Sequence, residues 1–180
     1  MGITLQALAA KRGGDLFVPL IFRLALRLEQ VNWDEALEDA PLVAHALGSA
    51  RRMFQADACV SWFEPGLEAQ AAGAPPIAHV LAVTRQLCET AGRHACVLGA
   101  VTGPATLLAR LGAPAAERRS LDQAASLALA LARAYCEVGV GGLALLEDAV
   151  PQSPALAGAF DALFNLASYY GVPIVVVSRA

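Results

Sequence analysis

The stretch that decides the fold runs from residue 97 to residue 112: Val97-Leu98-Gly99-Ala100-Val101-Thr102-Gly103-Pro104-Ala105-Thr106-Leu107-Leu108-Ala109-Arg110-Leu111-Gly112. Its first part belongs to an apolar run, Ala95–Val101, without the in–out alternation of a half-exposed strand. Such a run is expected of a parallel strand covered on both faces. Gly103 permits a sharp turn off that strand, and Pro104 presets the first turn of a helix. Gly112 falls where a helix needs a left-handed residue to end it. The segment therefore reads as strand, turn and helix.

The same unit recurs on both sides. Four further strands are predicted at Phe17–Phe22, Ala58–Phe63, Gly142–Leu146 and Pro173–Val177, with helical patterns between them. Asn32 with Glu35, and Ser120 with Gln123, carry the spacing of a reciprocal helix cap. Ser153 before Pro154 places a capping hydroxyl ahead of a proline at the first helical position. Gly92 and Gly171 are expected as left-handed helix ends. Between Ser153 and Gly171, the residues Leu156, Phe160, Leu163, Phe164, Ala167 and Tyr170 form one apolar stripe at helical spacing. This alternation predicts an α/β fold of right-handed βαβ units in a single domain spanning 1–180. Periodicity alone does not separate an open doubly wound sheet from a barrel. No G-x-G-x-x-G or Walker loop follows any strand, which lowers the expectation of a nucleotide site.

Composition agrees with a sheet buried on both faces. Apolar residues make up 57% of the 180-residue chain and charged residues 16%, against roughly 45–50% and about 25% in soluble domains. The net charge of −3 and pI near 5.6 give no basic footprint for nucleic acid, and the pairs Arg51-Arg52 and Arg118-Arg119 read as solvated helix ends. Cys59, Cys88, Cys96 and Cys136 show no C-x-x-C spacing, so neither zinc knuckle nor redox pair is indicated, and a reduced, cytoplasmic protein is expected. The longest apolar stretch, Ala124 to Ala132, is about half the ~20 residues that span a bilayer. Lys11 and Arg12 follow the first apolar stretch rather than precede it, unlike a secretory leader.

The Gly-Pro-x-Thr-Leu segment at 103–107 resembles the uroporphyrinogen decarboxylase family, which carries it after the third strand. Val18 to Leu28, with Arg23 and Arg27, is similar to that family's first strand and its paired arginines. Asp57 to Glu64 resembles the second strand, with Glu64 at the place of the catalytic aspartate. Residues 68–73, Glu-Ala-Gln-Ala-Ala-Gly, are similar to a segment of the related corrinoid methyltransferases, and Leu145 to Asp148 resembles the fourth strand and its acidic end. The resemblance implies about the first five strands of a (β/α)₈ barrel. A full barrel has eight strands and typically about 250 residues, so the open edge is expected to meet either a C-terminal half or a second copy of the chain.

In barrels, catalytic side chains come from the C-terminal strand ends. Arg23, Arg27, Glu64, Glu147 and Asp148 fall at such ends, with Arg110 on the helix after the third strand. Arginines facing a carboxylate suit a polyanionic substrate, because guanidinium forks bind carboxylates. The resemblance implies cofactor-free decarboxylation of tetrapyrrole acetate side chains. Glu64 would then stabilise the protonated pyrrole, while Arg23, Arg27, Arg110, Glu147 and Asp148 contact substrate. Departures from the family pattern are Glu64 for aspartate, Arg110 for tyrosine, and Leu24, Leu26 and Leu28 in place of glutamine, glycine and tyrosine. Two alternatives are a zinc-dependent corrinoid methyltransferase and a catalytically inactive binding module. Against the first, Val176-Val177-Ser178-Arg179 stands where those relatives carry a His-x-Cys zinc pair. His45, His79 and His94 receive no chemical role.

Overall fold

The computed structural model describes residues 3–63, 67–69, 76–92, 94–112, 118–148 and 154–177. Among them, four parallel strands form one sheet in the order β1-β2-β3-β4: β1 (Ala58–Val60), β2 (Cys96–Thr102), β3 (Gly142–Leu146) and β4 (Ile174–Val177). The helices are α1 (Leu5–Arg12), α2 (Phe22–Leu28), α3 (Trp33–Glu38), α4 (Ala40–Met53), α5 (Ile77–Ala91), α6 (Pro104–Arg110), α7 (Arg118–Val138) and α8 (Pro154–Tyr170), with a 3₁₀ turn at Leu67–Ala69. Each strand lies beside its predecessor, so the sheet winds in one direction. A doubly wound sheet would instead reverse its order at a switch point.

Both faces of β1, β2 and β3 are covered, which accounts for their continuous apolar runs. Cys59, Val97, Val101, Leu143 and Leu145 belong to a core shared with the helices. Ala58, Val60, Leu98, Ala100 and Leu146 face the other way, onto Leu5, Leu8, Leu16 and Val18 of the N-terminal segment. That cover is incomplete. A recess of about 410 Å³ remains between Leu16, Val18, Leu98, Ala144 and Val177. On β4, Val175 and Val176 are 40% and 53% exposed.

The expected first strand, Phe17–Phe22, is not a strand. Phe17 is tied to the start of β1 by Asp57 N–H to its carbonyl (3.0 Å) and by its own N–H to Asp57 Oδ2 (2.9 Å). Pro19 then removes a donor that a ladder would need, and Phe22 already opens α2. The sheet of the described residues thus has four strands where five were expected.

Several end signals operate as read. Asn32 Oδ1 accepts from Glu35 N–H (2.9 Å) while Glu35 Oε2 accepts from Asn32 N–H (3.1 Å). Gly112 and Gly171 are left-handed at φ +64° and +65°. Ser120 lies inside α7, which already begins by Arg118, and Ser153 lies outside the described residues. Within the α8 stripe Phe160, Leu163 and Ala167 are buried, but Phe164 is 43% exposed.

Gly99 shows how closely the layers meet. A Cβ there would lie 2.4 Å from Cγ of Tyr135, a side chain of α7 with no exposed surface. The ring has no room to withdraw, so Gly99→Ala is expected to cost about 1–3 kcal/mol of unfolding free energy through overpacking. Gly158→Ala, with nothing within 4 Å of its added Cβ, is expected to gain up to about 1 kcal/mol from helix propensity. Urea denaturation of the two variants checks both signs.

Candidate functional site

The C-terminal ends of β2 and β3 are joined by one side chain. Glu147, the first residue after β3, is only 5% exposed. Its carboxylate accepts from Ala105 N–H (Oε2, 3.2 Å), from Thr106 N–H (Oε1, 2.9 Å) and from the Thr106 hydroxyl. Thr106 Oγ1 in turn accepts from Asp148 N–H at 2.7 Å. Glu147 thereby caps the first turn of α6, whose N–H groups have no partner within the helix. The negative charge is favoured at that helix end.

Gly103 makes this approach possible. Its φ of −63° is open to any residue, so the glycine is not required by a turn. A Cβ at this position would lie 2.2 Å from Glu147 Oε2. The glycine of the Gly-Pro-x-Thr segment provides clearance for a carboxylate from the next strand, and the threonine binds it.

A second buried carboxylate holds the other end of the same turn. Glu68, in the 3₁₀ turn and 3% exposed, accepts the Thr102 N–H through Oε1. In a parallel ladder alternate N–H groups of one strand point to the same neighbour, and β1 has ended at Val60. Glu68 supplies the acceptor that β1 no longer provides. Burial pushes its pKa above the ordinary carboxylate value, opposed by hydrogen bonds from Thr102 and by the charge of Arg110. Among the described residues, Glu68 Oε2 and Tyr135 Oη are buried without a hydrogen-bond partner. Burial also raises the Tyr135 phenol, which lies in the field of Glu68 and beside Ser61. Thr84 Oγ1 contacts both Ser61 Oγ (2.9 Å) and the Val80 carbonyl (2.8 Å).

The predicted site residues separate into three groups. Glu147 is a buried cap rather than an open substrate ligand, because its oxygens are committed to α6. Asp148 and Arg110 are exposed at the same end of the sheet, with the charge of Arg110 felt at Glu68. Arg23 and Arg27 lie on α2, which packs on α4, rather than at a strand end. The Arg23 guanidinium sits 3.7 Å from the Trp33 ring centroid, a contact worth about 0.5–1 kcal/mol at an exposed position. Trp33 continues into an aromatic cluster with Phe22 and Trp62. Glu64 lies outside the described residues. Glu68 and Thr106 received no role from sequence reasoning. Their one signal was membership of two of the segments that carry the family resemblance.

Among the described residues, the donors do not fit zinc. No group of three or more His, Cys, Asp or Glu converges among the described residues. Burial pushes the thiols of Cys59 and Cys96 up to about 12, and those of Cys88 and Cys136 up to about 11, opposite to what a thiolate ligand requires.

No family model and no curated protein matches the chain. Among solved structures, a methyltransferase from Methanosarcina mazei is similar with a TM-score of 0.73 and 16% identity, over 99% of this chain and 70% of that one. The likeness is one of fold. The described residues form an α/β fold with a parallel four-stranded sheet, and that fold is shared with this solved structure. No helix of the described residues is long and apolar enough to cross a membrane.

Two outcomes are expected at this turn. In a double-mutant cycle, Gly103→Ala is expected to cost about 1–3 kcal/mol in the native background and measurably less in the Glu147→Ala background, where the obstructing carboxylate is gone. Equal costs would mean that the glycine serves another purpose. For Glu68 the raised pKa means that the folded state binds its proton more tightly than the unfolded state. Stability then falls as pH rises from the unfolded carboxylate pKa through the folded one. Glu68→Gln, which retains an acceptor for Thr102 N–H, should flatten that fall in denaturation midpoints measured from pH 4 to 7.

Proposed function

We propose that the chain is the N-terminal part of a (β/α)₈-barrel enzyme of the superfamily that contains uroporphyrinogen decarboxylase and the corrinoid methyltransferases. Its site would lie at the C-terminal ends of β1, β2 and β3, and its reaction would be cofactor-free decarboxylation of a tetrapyrrole-like polycarboxylate. One observation carries this reading. The β2–α6 turn is clamped from both ends by buried carboxylates, so exposed Arg110 and Asp148 are held on a rigid support at the end where barrel enzymes react.

In this reading Arg110 binds a substrate carboxylate and Glu64 stabilises positive charge on the ring protonated before carbon dioxide departs. Arg23 and Glu147 serve the scaffold. The open edge at β4 would be covered by a C-terminal half or a second copy, either of which would bury Val175 and Val176. The reading places the protein in the cytoplasm.

The solved methyltransferase of similar fold supports methyl transfer as a second reading. Here the zinc site would have to draw on residues outside those described. Equimolar zinc in the purified protein would favour it.

Anaerobic incubation with uroporphyrinogen, followed by mass spectrometry of the products, tests the first reading. Stepwise loss of carboxylates is expected. Arg110→Ala should raise KM about tenfold with kcat little changed, as for a group that binds ground and transition states alike. Glu64→Ala should abolish turnover with little loss of stability. Unchanged turnover in Glu64→Ala would remove it from the mechanism, and absence of any carboxylate loss would overturn the decarboxylase reading.

A further inference from the structure

At the opposite, N-terminal edge of the sheet, three chain segments bring basic side chains around a recess of about 240 Å³. Arg12 comes from the last turn of α1, Arg51 and Arg52 from the last turn of α4, and His94 from just before β2. The one acidic group, Asp57, is already engaged. Its Oδ1 pairs with Arg12 Nη2 at 2.9 Å, and its Oδ2 accepts Phe17 N–H at 2.9 Å.

The other two guanidiniums keep donors in reserve. Arg51 Nη1 donates to the Ala56 carbonyl at 3.2 Å, which fixes the head of that side chain. Arg52 forms no ion pair among the described residues, and its head reaches back over Gly48, where an added Cβ would lie 3.5 Å from Nη1. A second recess, of about 270 Å³, shares Arg51, Arg52 and His94 with the first. Helix dipoles account for one cation at each helix end. Three arginines against one aspartate leave an excess of two positive charges around these two adjoining recesses, in a chain whose net charge is −3.

We propose that this recess binds a phosphate dianion, as the free ion or as the terminal group of a small phosphate monoester. Two reserve guanidiniums from one helix turn match the charge and the several acceptor oxygens of such a group. The adjoining recess leaves space for an ester substituent. The overall acidity of the chain argues for a small anion rather than a nucleic acid. The site is at the far end of the sheet from Arg110 and Asp148 and does not depend on the proposed decarboxylation.

The test is titration of the whole chain with inorganic phosphate and, in parallel, with glycerol 3-phosphate, at ionic strength held constant with sodium chloride. Amide NMR shifts supply the readout. Saturable shifts at Ala56, Asp57 and His94 are expected with at least one of the two. Tighter binding of the ester would identify a terminal phosphate group, and tighter binding of phosphate the free ion. Arg52→Gln, at an exposed position, should weaken binding at least about tenfold, the effect of losing a charge-assisted contact. Gln55→Glu, also exposed, places a repelling carboxylate in the recess and should give the same loss by an independent route. Shifts that fail to saturate, that chloride reproduces, or that survive in both variants would overturn the proposal.

Discussion

Glu147 leaves the end of β3, passes over Gly103 and closes on the first turn of α6, and most of the C-terminal end of the sheet depends on that contact. It needs three things together: no side chain at 103, unpaired N–H groups at 105 and 106, and a carboxylate of the right length one residue beyond the neighbouring strand. Parallel pairing of Thr102 with Leu146 brings these parts into register. In return, the contact sets the direction in which α6 departs from the sheet. Asp148, bound through its N–H to Thr106, and Arg110, at the far end of α6, inherit their positions from it.

Glu68 completes the arrangement from the side of β1. A buried carboxylate is costly unless it is hydrogen-bonded, and Glu68 meets that condition through one oxygen while pairing the Thr102 N–H. The same strand-end turn is therefore held by two acidic side chains that face the protein and not the solvent. This distinguishes scaffold from chemistry. Residue type at a strand end does not make a substrate ligand. The Glu147 oxygens accept from backbone and hydroxyl donors of α6, and the Arg23 guanidinium stacks on Trp33.

The sheet shows a similar division between what is covered and what is open. β1, β2 and β3 are buried on both faces, whereas β4 leaves Val175 and Val176 exposed beside an apolar recess. Among the described residues β4 is an edge strand, and unpaired apolar strand edges attract further strands.

Much of this was legible in the residues. Four of the five predicted strands, the Asn32–Glu35 cap and the left-handed glycines follow from local apolar runs, side-chain length and backbone sterics, which act over a few positions. The strand predicted at Phe17–Phe22 failed because its apolar run resembles a strand locally while Pro19 and the early start of α2 deny it a ladder. The roles of Gly103, Glu68 and Glu147 were not legible, although all three lie in segments singled out by resemblance. Each role depends on a partner 34 to 44 positions away. By itself the sequence determined which segments are strands and helices, because that choice rests on neighbours in the chain. Only the tertiary structure decided which carboxylates are scaffold and which charges remain available, because hydrogen-bond commitment is settled by the residues that folding brings within about 3 Å.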